Sequence, residues 1–218
     1  MGTELTNRAL IFGAAPCTCW AFLRPYLERW LPCPVLCADG GSVNAAAAGL
    51  KADFLIGDWD SGGSPSNRIP CVTLPAEKDL TDLEAAVDHA SAMGARNLLL
   101  CGCTGGRLDH TASNLMLLEH VAEQGCQALL IDSDNEVRLL EGETIVLENF
   151  PSYRYLSLIP LDRQITGVTL RGVKYPLTGA RLKRGSTFSV SNEPASDCIT
   201  ITVETGRVLL IRSQRTDV

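Results

Sequence analysis

Carboxylates gather in short, separated stretches of this sequence. Asp39 opens Asp39-Gly40-Gly41, Asp58 and Asp60 flank Trp59 in Gly57-Asp58-Trp59-Asp60-Ser61, and Asp79 and Asp82 lie in Glu77-Lys78-Asp79-Leu80-Thr81-Asp82. A further polar stretch reads Thr104-Gly105-Gly106-Arg107-Leu108-Asp109-His110. Asp58, Asp60, Asp79 and Asp82 brought close would repel one another, because neighbouring carboxylates resist joint ionisation unless a cation lies among them. Oxygen donors without His or Cys suit a hard ion, Mg²⁺ first and Mn²⁺ second. Gly105-Gly106 allows a close backbone approach, and a helix start behind it offers N–H groups to an anion. Lys78 and Arg107 add positive charge suited to phosphate oxygens. Together these residue types point to phosphoryl chemistry on a nucleotide.

Each stretch also has a plainer role. Asp58 and Asp60 suit a turn, and Gly62-Gly63-Ser64-Pro65 behind them reads as one. Thr81 and Glu84 have capping-box spacing, and Asp79 and Asp82 suit a helix N-terminus. Asp109 could cap the next helix. His89, His110 and His120 read as surface or cap-adjacent residues. What weighs against coincidence is where the stretches fall along the chain.

The elements that must position them alternate in period. Short apolar runs occur at 9–12, 34–38, 53–56, 71–74, 97–101 and 127–131, and helical patterns at 20–30, 43–50, 81–93 and 110–124. Runs apolar throughout are expected for strands buried on both faces, so the pattern predicts βαβ units on a mostly parallel sheet. Asp39, Asp58, the Lys78–Asp82 stretch and Thr104 all follow predicted strands. The carboxyl ends of parallel strands share one edge, where ligands bind. From about Arg154 the period becomes two, in runs at 154–160, 167–173, 186–191, 198–204 and 207–212, separated by Gly167, Gly172, Gly179, Gly185 and Gly206. That predicts a small antiparallel sandwich. The boundary is expected between Glu136 and Phe150, giving an α/β domain over 1–140 and a β domain over 141–218.

Composition narrows the class. The 218 residues are 45% hydrophobic and 20% charged, enough to bury a core. Residues 1–150 carry 9 basic and 20 acidic side chains, and residues 151–218 carry 10 and 5, a weak sign of two segments with different duties. A net charge of −6 argues against a general nucleic-acid binder. No run approaches the roughly 20 apolar residues of a membrane span. The first residues have no basic stretch followed by an apolar one, so a cytoplasmic protein is expected. The nine cysteines have no zinc-type spacing, and reduced thiols are expected. Neither GxxxxGK[ST] nor a GxGxxG after the first strand is present.

These stretches, in this order, resemble the thiamine pyrophosphokinase family. The likeness rests on Asp39-Gly40-Gly41, Gly57-Asp58-Trp59-Asp60-Ser61, Lys78-Asp79-Leu80-Thr81-Asp82 and Thr104–His110 with Asn114-Leu115. It continues in Gly172-Val173-Lys174-Tyr175-Pro176-Leu177 and Ser189-Val190-Ser191-Asn192-Glu193, and spans about Ala9 to Arg212. The resemblance implies a Rossmann-like α/β catalytic domain, a β-sandwich domain, and a homodimer with sites shared between subunits. It implies transfer of pyrophosphate from ATP to the hydroxyl of thiamine, giving thiamine diphosphate and AMP. Asp58, Asp60 and Asp82 would hold Mg²⁺. Asp79, Arg107 and Asp109 would complete the catalytic polar site with Asp82. Asp39, Gly40, Ser61, Lys78, Thr81, Thr104, Gly105, Gly106 and Asn114 would line the ATP and substrate site. Tyr175, Ser191 and Asn192 would belong to the thiamine side, with Tyr175 where the family often has an aromatic, sometimes Trp. Trp59 stands where Phe is common.

Several questions stay open on the residues alone. Both Asp79 and Asp109 are candidates for the base that takes the hydroxyl proton. A pyrophosphokinase for another hydroxymethyl heterocycle, such as a pterin, would share the carboxylate stretches, and Tyr175 with Ser191-Asn192 speaks against it. A non-catalytic sensor would have no need of so many costly carboxylates.

Overall fold

A computed structural model describes residues 7–58, 69–75, 77, 79–148 and 152–214. The chain divides into two compact units, 1–133 and 134–218.

The first unit is built as the alternating periods predict. Its strands are β1 (Arg8–Phe12), β2 (Val35–Ala38), β3 (Phe54–Gly57), β4 (Cys71–Thr73), β5 (Asn97–Cys101) and β6 (Gln127–Ile131). They lie in the order β4-β3-β2-β1-β5-β6, and every neighbouring pair is parallel. Helices α1 (Arg24–Trp30), α2 (Gly41–Ala47), α3 (Asp82–Ala92) and α4 (Leu108–Glu123) connect them, with a 3-10 turn at Ala21–Leu23 ahead of α1. All of β2 is buried, as are Ala9–Phe12 and Leu98–Cys101. That is why these strands read as unbroken apolar runs.

Strand order matters for the site. From β1 the sheet grows through β2, β3 and β4 on one side and through β5 and β6 on the other. The connections therefore diverge between β1 and β5, and a crevice opens beyond their carboxyl ends.

The second unit is an antiparallel sandwich. One sheet has the order β7-β13-β9 (Asn135–Glu141, Arg207–Ser213, Tyr155–Pro160). The other has the order β11-β10-β12-β8 (Leu177–Lys183, Gln164–Arg171, Cys198–Thr202, Thr144–Glu148). Leu140, Leu156, Leu158, Val208 and Leu210 of the first sheet share one core with Leu147, Ile165, Val168, Leu170, Ile199 and Ile201 of the second.

Three expectations for this unit are corrected. The run Ser186–Ser191 is a turn-rich loop, not a strand. Its alternation is inverted: Phe188 and Val190 are 68% and 41% exposed, while Ser189 is buried and its Oγ donates to Leu158 O at 2.7 Å. Gly167 and Gly179 lie inside β10 and β11 rather than in turns. Their φ values, +67° and +57°, belong to an irregular ladder whose register shifts twice. Strands β7, β8 and β11 were not among the expected runs. Glu136, a buried charged residue within β7, and Gly179 in β11 blur the pattern that would have marked them.

Candidate active site

The carboxyl ends of β1, β2, β3 and β5 bring together residues far apart in sequence. Asp39 follows β2 directly in a left-handed conformation (φ +49°), and its N–H donates to Ile56 O at 2.8 Å. That conformation is uncommon outside glycine, and Asp tolerates it better than most residues. Gly40 caps the start of α2. Gly57 ends β3, and a Cβ there would lie 3.6 Å from Asp39 Cα and 3.7 Å from Asp82 Oδ2. The Asp82 carboxylate, carried by the first residue of α3, therefore lies beside the Gly57–Asp58 step. Asp58 is half-buried. Asp60, Ser61 and Lys78, with Trp59, lie outside the described residues.

Thr81 caps α3: its Oγ1 accepts the Glu84 N–H at 3.2 Å. Asp79 is exposed in the loop before α3. Among the described residues, no group of three His, Cys, Asp or Glu side chains is gathered as a metal site.

Beyond β5 the chain turns through Gly102, Gly105 and Gly106, with φ of +64°, +96° and +66°. Side chains from behind fix this turn. Thr104 Oγ1 donates to Asp132 Oδ2 at 2.6 Å, Gly105 N–H donates to Thr111 Oγ1 at 3.1 Å, and Asn114 Nδ2 donates to Cys103 O at 2.7 Å. Asn114 and the Thr104 hydroxyl thus support the turn. The buried Cys103 thiol donates to Cys101 O at 3.3 Å, and burial pushes it up to about 12, so it stays protonated. All nine cysteines are free thiols.

Arg107 precedes α4 and is exposed, as is Asp109. Asp109 does not cap the helix; it accepts the Arg107 fork and also the His110 N–H at 2.9 Å. The hydrogen bonds from Arg107, then that from His110, hold its carboxyl down at about 2. Among the histidines, the His120 ring meets Asp88 Oδ1 at 2.8 Å, and His89 packs against Phe54 with ring centroids 5.4 Å apart. Neither adjoins the strand ends described above.

Four supporting residues escaped the sequence. Gly13, Asn44, Thr111 and Asp132 hold the strand-end loops together. Asp132 had a usable signal, since it directly follows a strand as Asp39 and Asp58 do. Asn44 had only its polarity within an Ala-rich run.

In the second unit, Tyr175 is 59% exposed while its backbone is pinned. Asn192 is buried; its Oδ1 accepts the Tyr175 N–H at 3.0 Å and its Nδ2 donates to Tyr175 O at 2.8 Å. Ser191 has φ +61°, and its N–H donates to Ser157 Oγ at 3.0 Å. The Lys174 ammonium lies 5.4 Å from the Tyr175 ring centroid and donates to Glu193 Oε1 at 2.8 Å. The structure thus brings Tyr175, Ser191 and Asn192 into one cluster, in which Asn192 acts on the Tyr175 backbone.

Comparison with known proteins agrees with both units. Residues 30–130 match the catalytic domain of thiamin pyrophosphokinase, and residues 143–208 match its vitamin B1 binding domain. A thiamine pyrophosphokinase of Bacillus subtilis is 33% identical over 181 residues, covering 80% of this chain and 85% of the relative. The crystal structure of a Bacillus subtilis thiamine pyrophosphokinase superposes with a TM-score of 0.87 at 28% identity, covering 96% of this chain and 100% of the other. That of a Geobacillus thermodenitrificans thiamin pyrophosphokinase gives 0.83 at 31%, covering 96% and 99%. With both domains matched in order along one chain, this protein belongs to the thiamine pyrophosphokinase family.

Proposed function

We infer that the chain transfers the pyrophosphoryl group of ATP to the hydroxyl of thiamine, forming thiamine diphosphate and AMP. The observation that carries this is the paired match, a catalytic domain over 30–130 and a vitamin B1 binding domain over 143–208. In this proposal ATP binds at the strand-end loops of the first unit, and the second unit supplies the thiamine side.

The donor set fits a hard divalent cation. Asp82 Oδ2 lies near the Cβ position of Gly57, next to Asp58, and these are oxygen donors only. Asp58 and Asp82 would hold Mg²⁺, with Asp60 as the third ligand that the resemblance assigns. Mn²⁺ suits the same donors. The ion, when bound, would neutralise charge on the phosphate oxygens.

The chain's own groups do the rest. Arg107 presents a planar guanidinium to developing charge, and Lys78 is assigned the same task by the resemblance. The fixed glycine turn orients the phosphates so that the alcohol attacks the β-phosphorus in line, with AMP leaving. Asp109 aims the guanidinium through its paired hydrogen bonds with Arg107. Asp79 and Asp109 are the candidate bases for the hydroxyl proton. Tyr175 offers an aromatic face to the cationic thiamine, and acidic strand ends favour its approach.

The proposal extends to a cytoplasmic homodimer with sites shared between subunits, which the resemblance favours. Among the described residues no helix is long and apolar enough to cross a membrane.

The test is AMP and thiamine diphosphate formation from ATP and Mg²⁺ with thiamine, with a pterin alcohol, or with no acceptor. Thiamine-dependent product is expected. AMP formed only with the pterin, or with no acceptor, would overturn the assignment.

A further inference from the structure

We propose that Asn44 is a positioning residue for the nucleotide. Its carboxamide fixes the segment Gly13–Pro16 against the glycine turn 102–106, and so sets affinity for ATP without reaching the ATP. This rests on the pyrophosphoryl transfer proposed above.

Asn44 is carried by the Ala-rich helix α2 and is a buried polar side chain, 9% exposed. Burying a carboxamide is costly unless its donors are used. Here both are used on one short segment: Nδ2 donates to Gly13 O at 2.8 Å and to Ala15 O at 2.9 Å.

The same segment donates in the other direction. Gly13 N–H reaches Cys101 O at 2.8 Å, and Ala15 N–H reaches Gly102 O at 2.9 Å. All four backbone groups of Gly13 and Ala15 are thus accounted for: the N–H groups by the end of β5, the carbonyls by Asn44. Strand β2 has already turned away at Asp39-Gly40, so Asn44 takes over the hydrogen bonding beside this extension of β1.

The segment in turn bears on the glycine turn. A Cβ on Gly102 would lie 2.7 Å from Gly13 O and 2.8 Å from Asn44 Nδ2, both too close to exist. A Cβ on Gly13 would lie 2.6 Å from Gly102 O, and one on Gly106 would lie 3.3 Å from Pro16 Cδ. Backbone meets backbone just beyond the ends of β1 and β5, with the Asn44 amide wedged against both. If that amide is lost, Gly13–Pro16 is free to shift, and the glycine turn loses the wall it packs on. The expected consequence is confined to the nucleotide end of the reaction.

Asn44→Asp separates position from bulk. It keeps the shape but replaces two donors with a carboxylate that can only accept, facing two carbonyls. ATP affinity, measured by calorimetry with Mg²⁺ present, should fall about tenfold or more. The ATP KM should rise to match, with the thiamine KM within about twofold of the parent. Asn44→Ser, which keeps one donor, should fall between, and it carries the test if the Asp variant does not fold. Unchanged ATP affinity in either folded variant overturns the inference. So does an equal rise of both KM values with a lowered melting temperature, since that marks a merely structural residue. Calorimetry keeps the two ideas distinguishable. A parent chain that binds ATP but forms no thiamine diphosphate sinks the proposed reaction, and the effect of Asn44 on ATP binding is still measured.

Discussion

Arg107 grips Asp109 at two points, Nε to Oδ1 at 3.1 Å and Nη2 to Oδ2 at 2.6 Å, although both side chains stand in solvent. An exposed pair of this kind adds little to stability. Its effect is to hold a flexible guanidinium in one orientation beside the glycine turn. Arg107→Lys should therefore not restore function, since an ammonium cannot reproduce a planar fork. Turnover with ATP and thiamine should fall by about tenfold or more in Arg107→Lys and in Arg107→Ala, with little change in melting temperature. Unchanged ATP affinity and turnover in Arg107→Ala would make it a surface charge only.

The same pair makes a titration prediction. Hydrogen bonds from Arg107 and His110 lower the Asp109 carboxyl to about 2, so the pair is intact above that pH and lost as pH falls through it. Carboxyl-carbon NMR should show the Asp109 midpoint at about 2, moving up toward the ordinary range in Arg107→Ala. A parent midpoint near the ordinary carboxyl value of about 3.9 would mean that the fork does not persist in solution.

Asp58 and Asp82 lie at the ends of neighbouring elements, with Asp82 Oδ2 beside the Gly57 Cβ position. Asp58→Asn removes a charge while keeping size, and it should lower turnover by on the order of a hundredfold while leaving the fold intact. The assay is AMP formation across a Mg²⁺ titration. Near-parental activity at saturating Mg²⁺ would remove Asp58 from the metal set.

Much of this site was legible because parallel topology turns a one-dimensional rule into a place. A polar residue directly after a buried apolar run must lie on the carboxyl edge, which located Asp39, Asp58 and Thr104. Supporting residues were harder to see. Thr111 holds the glycine turn from inside α4, where a Thr reads as ordinary helix surface. Asn44 is polar in an Ala-rich helix, and no local pattern says that its partners are carbonyls about 30 positions earlier. In the sandwich, period two was a true signal but not a sufficient one. Ser186–Ser191 alternates as a strand would, with Ser189 buried and Phe188 exposed.

Tyr175 presents its ring to solvent while Asn192 secures its backbone, so the ring can serve as a stacking face at little ordering cost. Tyr175→Ala should raise the thiamine KM by about tenfold, and Tyr175→Trp should keep or lower it. The ATP KM should be unaffected in both. Equal thiamine KM values in the Ala and Trp variants would exclude stacking on this ring.

Shared sites predict complementation between defective chains. Asp58→Asn and Tyr175→Ala chains, assayed at thiamine well below the raised KM so that each is weak alone, should regain activity when mixed and allowed to exchange subunits. One site of the mixed dimer then carries both defects and the other carries none. Subunit exchange shown by a tag, without recovered activity, would place each whole site within one subunit.

Glu136 is 2% exposed in β7, and Arg212 of β13 donates to its Oε1 from Nε at 2.9 Å and from Nη2 at 2.6 Å. Arg138 Nη2 donates to the same oxygen at 2.9 Å, and the Arg212 guanidinium lies 4.7 Å from the Tyr153 ring centroid. Burial alone would raise the Glu136 carboxyl. The charge and hydrogen bonds of Arg212, and then those of Arg138, outweigh it and leave the group below its ordinary value. Glu136→Gln would take a buried carboxylate away from the Arg212 guanidinium, which costs about 3–5 kcal/mol. The sign with pH follows from the depressed value. The stabilisation is fully present above the ordinary carboxyl range, about 4.3, and is lost as pH falls through the lower folded value. Melting temperatures of the parent and Glu136→Gln should therefore differ most near neutrality and converge in acid. A gap that stays constant down to acid pH would show that ionised Glu136 is not what joins β7 to β13.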